Sequence, residues 1–239
     1  MPRGRSFTIF LAGLTGTISP AKLGEVLKSG LLRRSYGVPV ARSAPIVLAE
    51  RVTDALGIAL LVVVVGLGAA GSLPLALVTL GLGIAVAVLA RTRLLDRFAR
   101  VAQARAASAE LLGLKLLVGM SLLAALSWFC ECLAAWACVK GLGLHVSLAD
   151  TTVVFCISTL AGALSFIPGG LGVAEASMIG LFHRLGNVSK PDAAALTVLI
   201  RLATLWFAVV VGLVALWVED RLDRRQAGGS PPARRSSMR

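Results

Sequence analysis

The sequence predicts an all-α integral membrane protein with about four transmembrane helices and two re-entrant helical hairpins set as an inverted repeat. Three observations carry that expectation. Hydrophobic residues make up 57% of the chain against 15% charged, and a mean hydropathy of +0.86 leaves too few polar side chains to cover a water-facing surface. The apolar residues gather into runs of about 20 or more, the length that crosses a ~30 Å hydrocarbon layer at 1.5 Å per helical residue. Lys and Arg cluster just outside those runs. Soluble enzymes, nucleic-acid modules and disordered chains are thereby excluded for the whole, and the formal charge of +12 reports topology rather than a nucleic-acid partner.

In chain order, residues 7–18 form an apolar segment behind Arg3 and Arg5 that runs into Pro20 and resumes over 21–34. Charge followed by an apolar run has the look of a signal peptide, but residues 20–25 make a poor cleavage region, so the segment stays in the reading. Proline removes a donor, and the broken run suits a helix that dips into the membrane and turns back. Residues 44–67 and 72–90 follow as through-helices. The stretch 91–105 carries Arg91, Arg93, Arg97, Arg100 and Arg105 with Leu94, Leu95, Phe98 and Val101 at helical spacing, which fits a helix lying on the inner surface. Residues 111–139 are the third through-helix. Residues 151–167 then run into Pro168-Gly169-Gly170 and resume over 171–185, the second hairpin, and residues 192–218 are the fourth through-helix. Residues 1–218 thus form one membrane domain. Residues 219–239, Gly-Gly-Ser-Pro-Pro and basic from Gln226 on, read as a disordered cytoplasmic tail attracted to anionic headgroups.

The charges test this plan. Arg3, Arg5, Lys22, Lys28, Arg33, Arg34 and Arg42 flank the first hairpin, five arginines follow the second through-helix, and Arg221, Arg224, Arg225, Arg234, Arg235 and Arg239 close the chain. All fall on the cytoplasmic side only if both hairpins return, so both termini are expected inside. The hairpins also share an order of parts. Pro20 is followed by Gly24 and Glu25, Pro39 and then Glu50-Arg51; Pro168 is followed by Gly172 and Glu175, Pro191 and then Arg201. The first opens inside and the second outside, the inverted arrangement in which transporters place a substrate site at the repeat interface.

Those residues carry a resemblance. Ile18-Ser-Pro-Ala-Lys-Leu-Gly-Glu25, the Glu50-Arg51-x-x-Asp54 cluster, Phe166-Ile-Pro-Gly-Gly-Leu-Gly-Val-x-Glu175 and Arg201 resemble the flippase-like transmembrane region of the lysylphosphatidylglycerol synthase family. The resemblance covers most of residues 7–218. It implies a bacterial inner-membrane, multi-pass protein associated with moving an aminoacylated or otherwise modified lipid between leaflets, with relatives linked to polyprenyl-phosphate sugars and hopanoids. Nothing after Val218 resembles the family's soluble aminoacyl-transferase domain, so the chain is not expected to be an enzyme. Family members commonly carry one or two helices before the first hairpin, so an in-frame upstream extension encoding an apolar run is expected.

The chemistry sits in charges that hydrocarbon penalises by roughly 2.5 to 3.5 kcal/mol each on insertion scales, so such groups face cavities and one another. Glu50, Arg51 and Asp54 share one helix face at spacings of three and four, and Arg201 falls near the middle of its span. The functional reading has Arg51 and Arg201 holding a lipid phosphate, helped by the amides of the half-helices that return at Pro20 and at Pro168, Gly169, Gly170 and Gly172. Glu25, Glu50, Asp54 and Glu175 would hold the arginines when no lipid is bound. The alternative is a set of ion pairs that only lock helices together, and Glu131 is read that way.

Other motifs carry no chemistry. Gly66-Leu-Gly-Ala-Ala-Gly71 spells a dinucleotide fingerprint, but the apolar run before it is too long for a strand and no acid follows about twenty residues on, so it reads as a tight outer turn. His145 and His183 lack partners at ligand spacing. Cys130, Cys132, Cys138 and Cys156 lie in apolar stretches as small core residues, and the four tryptophans fit anchoring or packing. No metal or cofactor is expected. The expected function is a lipid flippase or transporter for a modified, anionic or phosphate-bearing lipid. The alternative is a non-transporting scaffold that presents lipid to a glycosyltransferase or lipid-modifying enzyme, and an intramembrane lipid-modifying enzyme would lack a recognisable nucleophile or metal set. Membrane lipid is the expected partner, and the oligomeric state is left open.

Overall fold

A computed structural model describes residues 3–19, 27–66, 81 and 113–228, and these form helices and turns with no strand among them. The expected second through-helix, the basic surface helix at 91–105, Pro20, Glu25 and the tail from residue 229 lie outside the described residues. Helix α1, Arg3–Ala12, tightens into a 3-10 segment, Gly13–Ile18, and ends at Ser19 in extended conformation, the geometry favoured for a residue preceding proline. Helix α2, Leu27–Tyr36, stops at Gly37, whose φ of 68° is the left-handed turn a helix C-terminus adopts. Helix α3 is Val40–Gly66 and α4 is Leu114–Gly141.

Helix α5, Leu148–Leu164, starts at Ser147, whose hydroxyl accepts the Asp150 N–H at 3.0 Å. The break falls where proline and glycines were read. Pro168–Gly170 is a single 3-10 turn, with φ of 62° at Gly169 and 65° at Gly170. Helix α6, Val173–Leu185, then returns antiparallel against α5. Helix α7, Lys190–Arg201, passes through one π turn, Leu202–Trp206, into α8, Phe207–Gly228. Helix α8 thus continues to Gly228, into the segment read from sequence as the start of the tail.

Among the described residues two helical stretches, Lys115–Gly141 and Lys190–Leu222, are long and apolar enough to cross a membrane. Helix α3 has the length but carries Glu50, Arg51 and Asp54 inside its apolar stretch. The packing faces follow composition. In α4, Leu117, Ser121, Ala124, Trp128, Cys132, Ala135 and Val139 are buried at spacings of three or four, while Leu122, Leu123, Leu126 and Leu133 are exposed on the other side. Small residues line the seam and leucines face outward, as expected where lipid solvates one face and helices approach closely on the other. Gly57 makes that approach possible, because a Cβ there would lie 2.8 Å from the Ala125 backbone nitrogen.

The main core joins α3, α4, α5, α6 and α7 around residues such as Val62, Val154, Met178 and Ile200. A smaller one joins α1, α2 and α8 through Ile9, Leu31 and Ala215. Close to that smaller core, Arg5 Nε lies 2.7 Å from Glu219 Oε1, and Glu219 is only 1% exposed. The N-terminal segment reaches the second hairpin as well. Its 3-10 turn touches the Pro168–Gly170 turn, and Ile18 lies against the position a Gly169 Cβ would take. The Gly13–Ile18 segment and the Pro168–Gly170 turn, far apart in sequence, are thus in contact.

Candidate functional site

Arg51 is the twelfth residue of α3 and Arg201 the twelfth of α7, so the two arginines hold the same place in their helices. Around them lie two cavities. The larger, about 310 Å³, is lined by Lys28, Glu50, Arg51 and Asp54 together with Phe10 and Met120. The smaller, about 80 Å³, is lined by Arg201, Gly169, Gly170, Thr159 and Thr204. Thr17, Trp128, Glu131 and Ala208 line both, so the cavities abut.

Arg201 is buried, and its position is fixed from two sides. Its Nη2 donates to the Gly169 carbonyl at 2.6 Å and its Nε lies 2.6 Å from Glu175 Oε1. The second oxygen of Glu175 accepts the Gly172 N–H at 2.5 Å, which caps the first turn of α6 and places negative charge at its positive end. The break therefore presents a carbonyl to the arginine. The Gly172 amide, expected to aim at a phosphate, is occupied by the chain's own carboxylate in this structure. The π turn that follows Arg201 closes i→i+5 hydrogen bonds and disturbs the carbonyl ladder; the Thr204 hydroxyl donates to the Ile200 carbonyl at 2.8 Å.

In the larger cavity Arg51 Nη2 lies 3.1 Å from Asp54 Oδ2, the i,i+3 pair read from sequence. Glu50 pairs differently, its Oε2 accepting from Lys28 Nζ at 3.2 Å. Lys28 reaches that point across α1, where Gly13 leaves a notch for its stem. A Cβ on Gly13 would fall 2.4 Å from the lysine Cγ, and the ammonium sits 4.7 Å over the Phe10 ring. Sequence reading had counted Lys28 only as a topological charge. It had also treated Glu131 as structural and Trp128 as packing, whereas both line the two cavities. Of the expected residues, Arg51, Glu50 and Asp54 gather in one cavity and Arg201, Gly169 and Gly170 in the other, with Glu175 behind Arg201. Pro168 starts the turn without lining either cavity. Glu25 and Pro20 lie outside the described residues. No group of three metal-ligating side chains occurs among the described residues.

A family model described as the lysylphosphatidylglycerol synthase TM region matches residues 1–212. The chain belongs to that family. It is a membrane protein, and relatives of this lysylphosphatidylglycerol synthase-like chain carry different names. It is 32% identical over 39% of its length to 28% of a UPF0104 membrane protein of Methanothermobacter thermautotrophicus. It is 30% identical over 44% of its length to 31% of a UPF0104 membrane protein of Methanocaldococcus jannaschii. It is also 28% identical over 39% of its length to 11% of a phosphatidylglycerol lysyltransferase of Staphylococcus aureus. The chain thus spans less than a third of the length of the curated relatives it matches. No solved structure matches it.

Proposed function

We propose that this chain moves an anionic or phosphate-bearing lipid between leaflets, binding the phosphate between Arg51 and Arg201. The observation that carries the reading is the pair of abutting cavities, each with an arginine held by a carboxylate. Cations pre-paired with acids offset charge in the empty site, and an incoming phosphate replaces the carboxylate as partner. Lys28 adds a third cation beside Arg51. In this reading Pro168, Gly169, Gly170 and Gly172 form the rim that a headgroup passes, Glu25 and Glu175 act at equivalent places in the two hairpins, and Glu50 and Asp54 hold Lys28 and Arg51 between cycles. The carrier does no covalent chemistry of its own.

The topology that goes with this reading has four spans and two re-entrant hairpins in inverted orientation, in the inner membrane with both termini cytoplasmic. The equal positions of Arg51 and Arg201 in their helices support the repeat. Two cation–aromatic pairs support the membrane boundaries: Lys140 sits 5.2 Å from the Trp136 ring and Arg221 4.5 Å from the Trp217 ring, at opposite ends of the helix layer, as interfacial belts do.

The test is leaflet-resolved movement of labelled anionic and neutral lipids in vesicles containing the purified full chain, compared with Arg51→Gln and Arg201→Gln. Losing one charge-assisted bond should cut anionic-lipid movement about ten- to a hundredfold. Stable variants with undiminished movement overturn the phosphate reading, and a chain that moves lipid only with a partner enzyme is a scaffold instead.

A further inference from the structure

Trp128 stands in the wall that the two cavities share. It is 7% exposed, and of the four residues lining both cavities it is the largest, the others being Thr17, Glu131 and Ala208. Its ring packs tilted against Phe155, which lines the smaller cavity, with centroids 6.4 Å apart. One helical turn on, Cys132 and Cys156 are fully buried with their sulfurs 3.8 Å apart. Close packing on that side leaves the indole no space to withdraw into. The cavity on the Lys28 and Arg51 side holds about 310 Å³ and the one on the Arg201 side about 80 Å³.

We infer that Trp128 is a specificity-determining residue, a fixed size filter that sets how bulky a phosphate-bearing headgroup can pass from the Arg51 cavity to the Arg201 cavity. This rests on the lipid-phosphate reading above. The arginines on either side recognise the phosphate common to all such lipids, so they cannot discriminate among headgroups. Discrimination then falls to shape at the shared wall, where a rigid indole backed by packed side chains rejects volume that a flexible residue would accommodate. Truncation of the indole joins the cavities without touching either arginine.

The experiment uses the full chain in vesicles with labelled phosphatidic acid, phosphatidylglycerol and phosphatidylinositol, which share a phosphate and grow in headgroup volume. Wild type is compared with Trp128→Ala and with Trp128→Phe, the second keeping an aromatic ring against Phe155 in case the first does not fold. Bound lipid counted by native mass spectrometry in detergent gives the same ratios independently of movement. The expected result is that the ratio of phosphatidylinositol to phosphatidic acid rises about tenfold for Trp128→Ala and less for Trp128→Phe. Unchanged ratios in folded variants of an active wild type overturn the filter and leave the lipid-phosphate reading standing. A wild type that neither binds nor moves any of the three lipids overturns that reading, and the filter with it.

Discussion

The pair between Arg201 and Glu175 is the sharpest place to test the electrostatics, because its two members differ in what remains when the other is removed. In Glu175→Gln, Arg201 stays buried with the Gly169 carbonyl as its remaining acceptor at 2.6 Å. In Arg201→Met, the Glu175 carboxylate keeps the Gly172 N–H at 2.5 Å and is 25% exposed. Stranding a buried charge costs about 3 to 5 kcal/mol, so Glu175→Gln should lie in that range and Arg201→Met below it, at about 2 kcal/mol. The double variant should recover part of the loss, with a coupling of about 1 to 3 kcal/mol. For a chain of this size 1 kcal/mol moves Tm by about 2 to 4 °C. Thermal unfolding in one detergent should therefore place Glu175→Gln about 6 to 20 °C below wild type, with the double variant above the sum of the singles. Additivity within about 0.5 kcal/mol, or Arg201→Met as the more damaging change, would refute the reasoning.

Gly170→Ala and Gly172→Ala should separate backbone strain from steric contact. Both have positive φ, but a Cβ on Gly170 would lie 2.7 Å from the Gly162 Cα, whereas one on Gly172 meets nothing within 4 Å. Gly172→Ala should cost about 1 to 2 kcal/mol and Gly170→Ala at least twice that, read as Tm or as the folded fraction on size exclusion. Arg5→Met should strand the buried Glu219 carboxylate and lower stability by about 3 to 5 kcal/mol, and adding Glu219→Met should restore most of it; no recovery in the double variant would show that the pair at 2.7 Å does not set this cost. With the four native cysteines replaced by Ala, Lys190→Cys should react with a membrane-impermeant thiol reagent from outside intact cells and Ser35→Cys should not; the reverse pattern would dismantle the proposed orientation.

What the sequence could reveal depended on how local the cause was. The return from α5 to α6 was readable because Pro168 stops a helix within one residue and Gly169 and Gly170 accept the positive φ of the turn. Helix α4 was readable because an uninterrupted apolar run has no other stable form in lipid. The Arg51–Asp54 pair was readable because it lies within one helix. The pairing of Lys28 with Glu50 was not, since it depends on a notch at Gly13 in a third segment. Trp128 and Glu131 were passed over for the same reason: one helix carries them, but what faces them comes from α1, α5 and α8. Nor did Leu-Ala-Thr-Leu-Trp at 202–206 announce a π turn, since it contains neither Gly nor Pro. The helical extension past Val218 was obscured by its charge, although Arg, Leu, Glu and Gln are good helix formers.

That π turn has a consequence for how the helix can change length. A π turn closes i→i+5 and so holds one residue more than an α turn; beyond it Phe207 and Val214 are 64% and 56% exposed. One residue further along, Ala208 lines both cavities and Ala215 is buried. The helix therefore contains a single surplus residue, looped into one wide turn so that the flanking stretches keep facing their own neighbours. Removing any one residue from 202–206 should close the wide turn into an ordinary one and leave Ala215 and Glu219 aligned with α1. Removing one from the middle of α8 would instead swing everything beyond it by about 100°. A length change that would wreck most of this helix is thus absorbed at one point, next to the arginine whose surroundings it shapes.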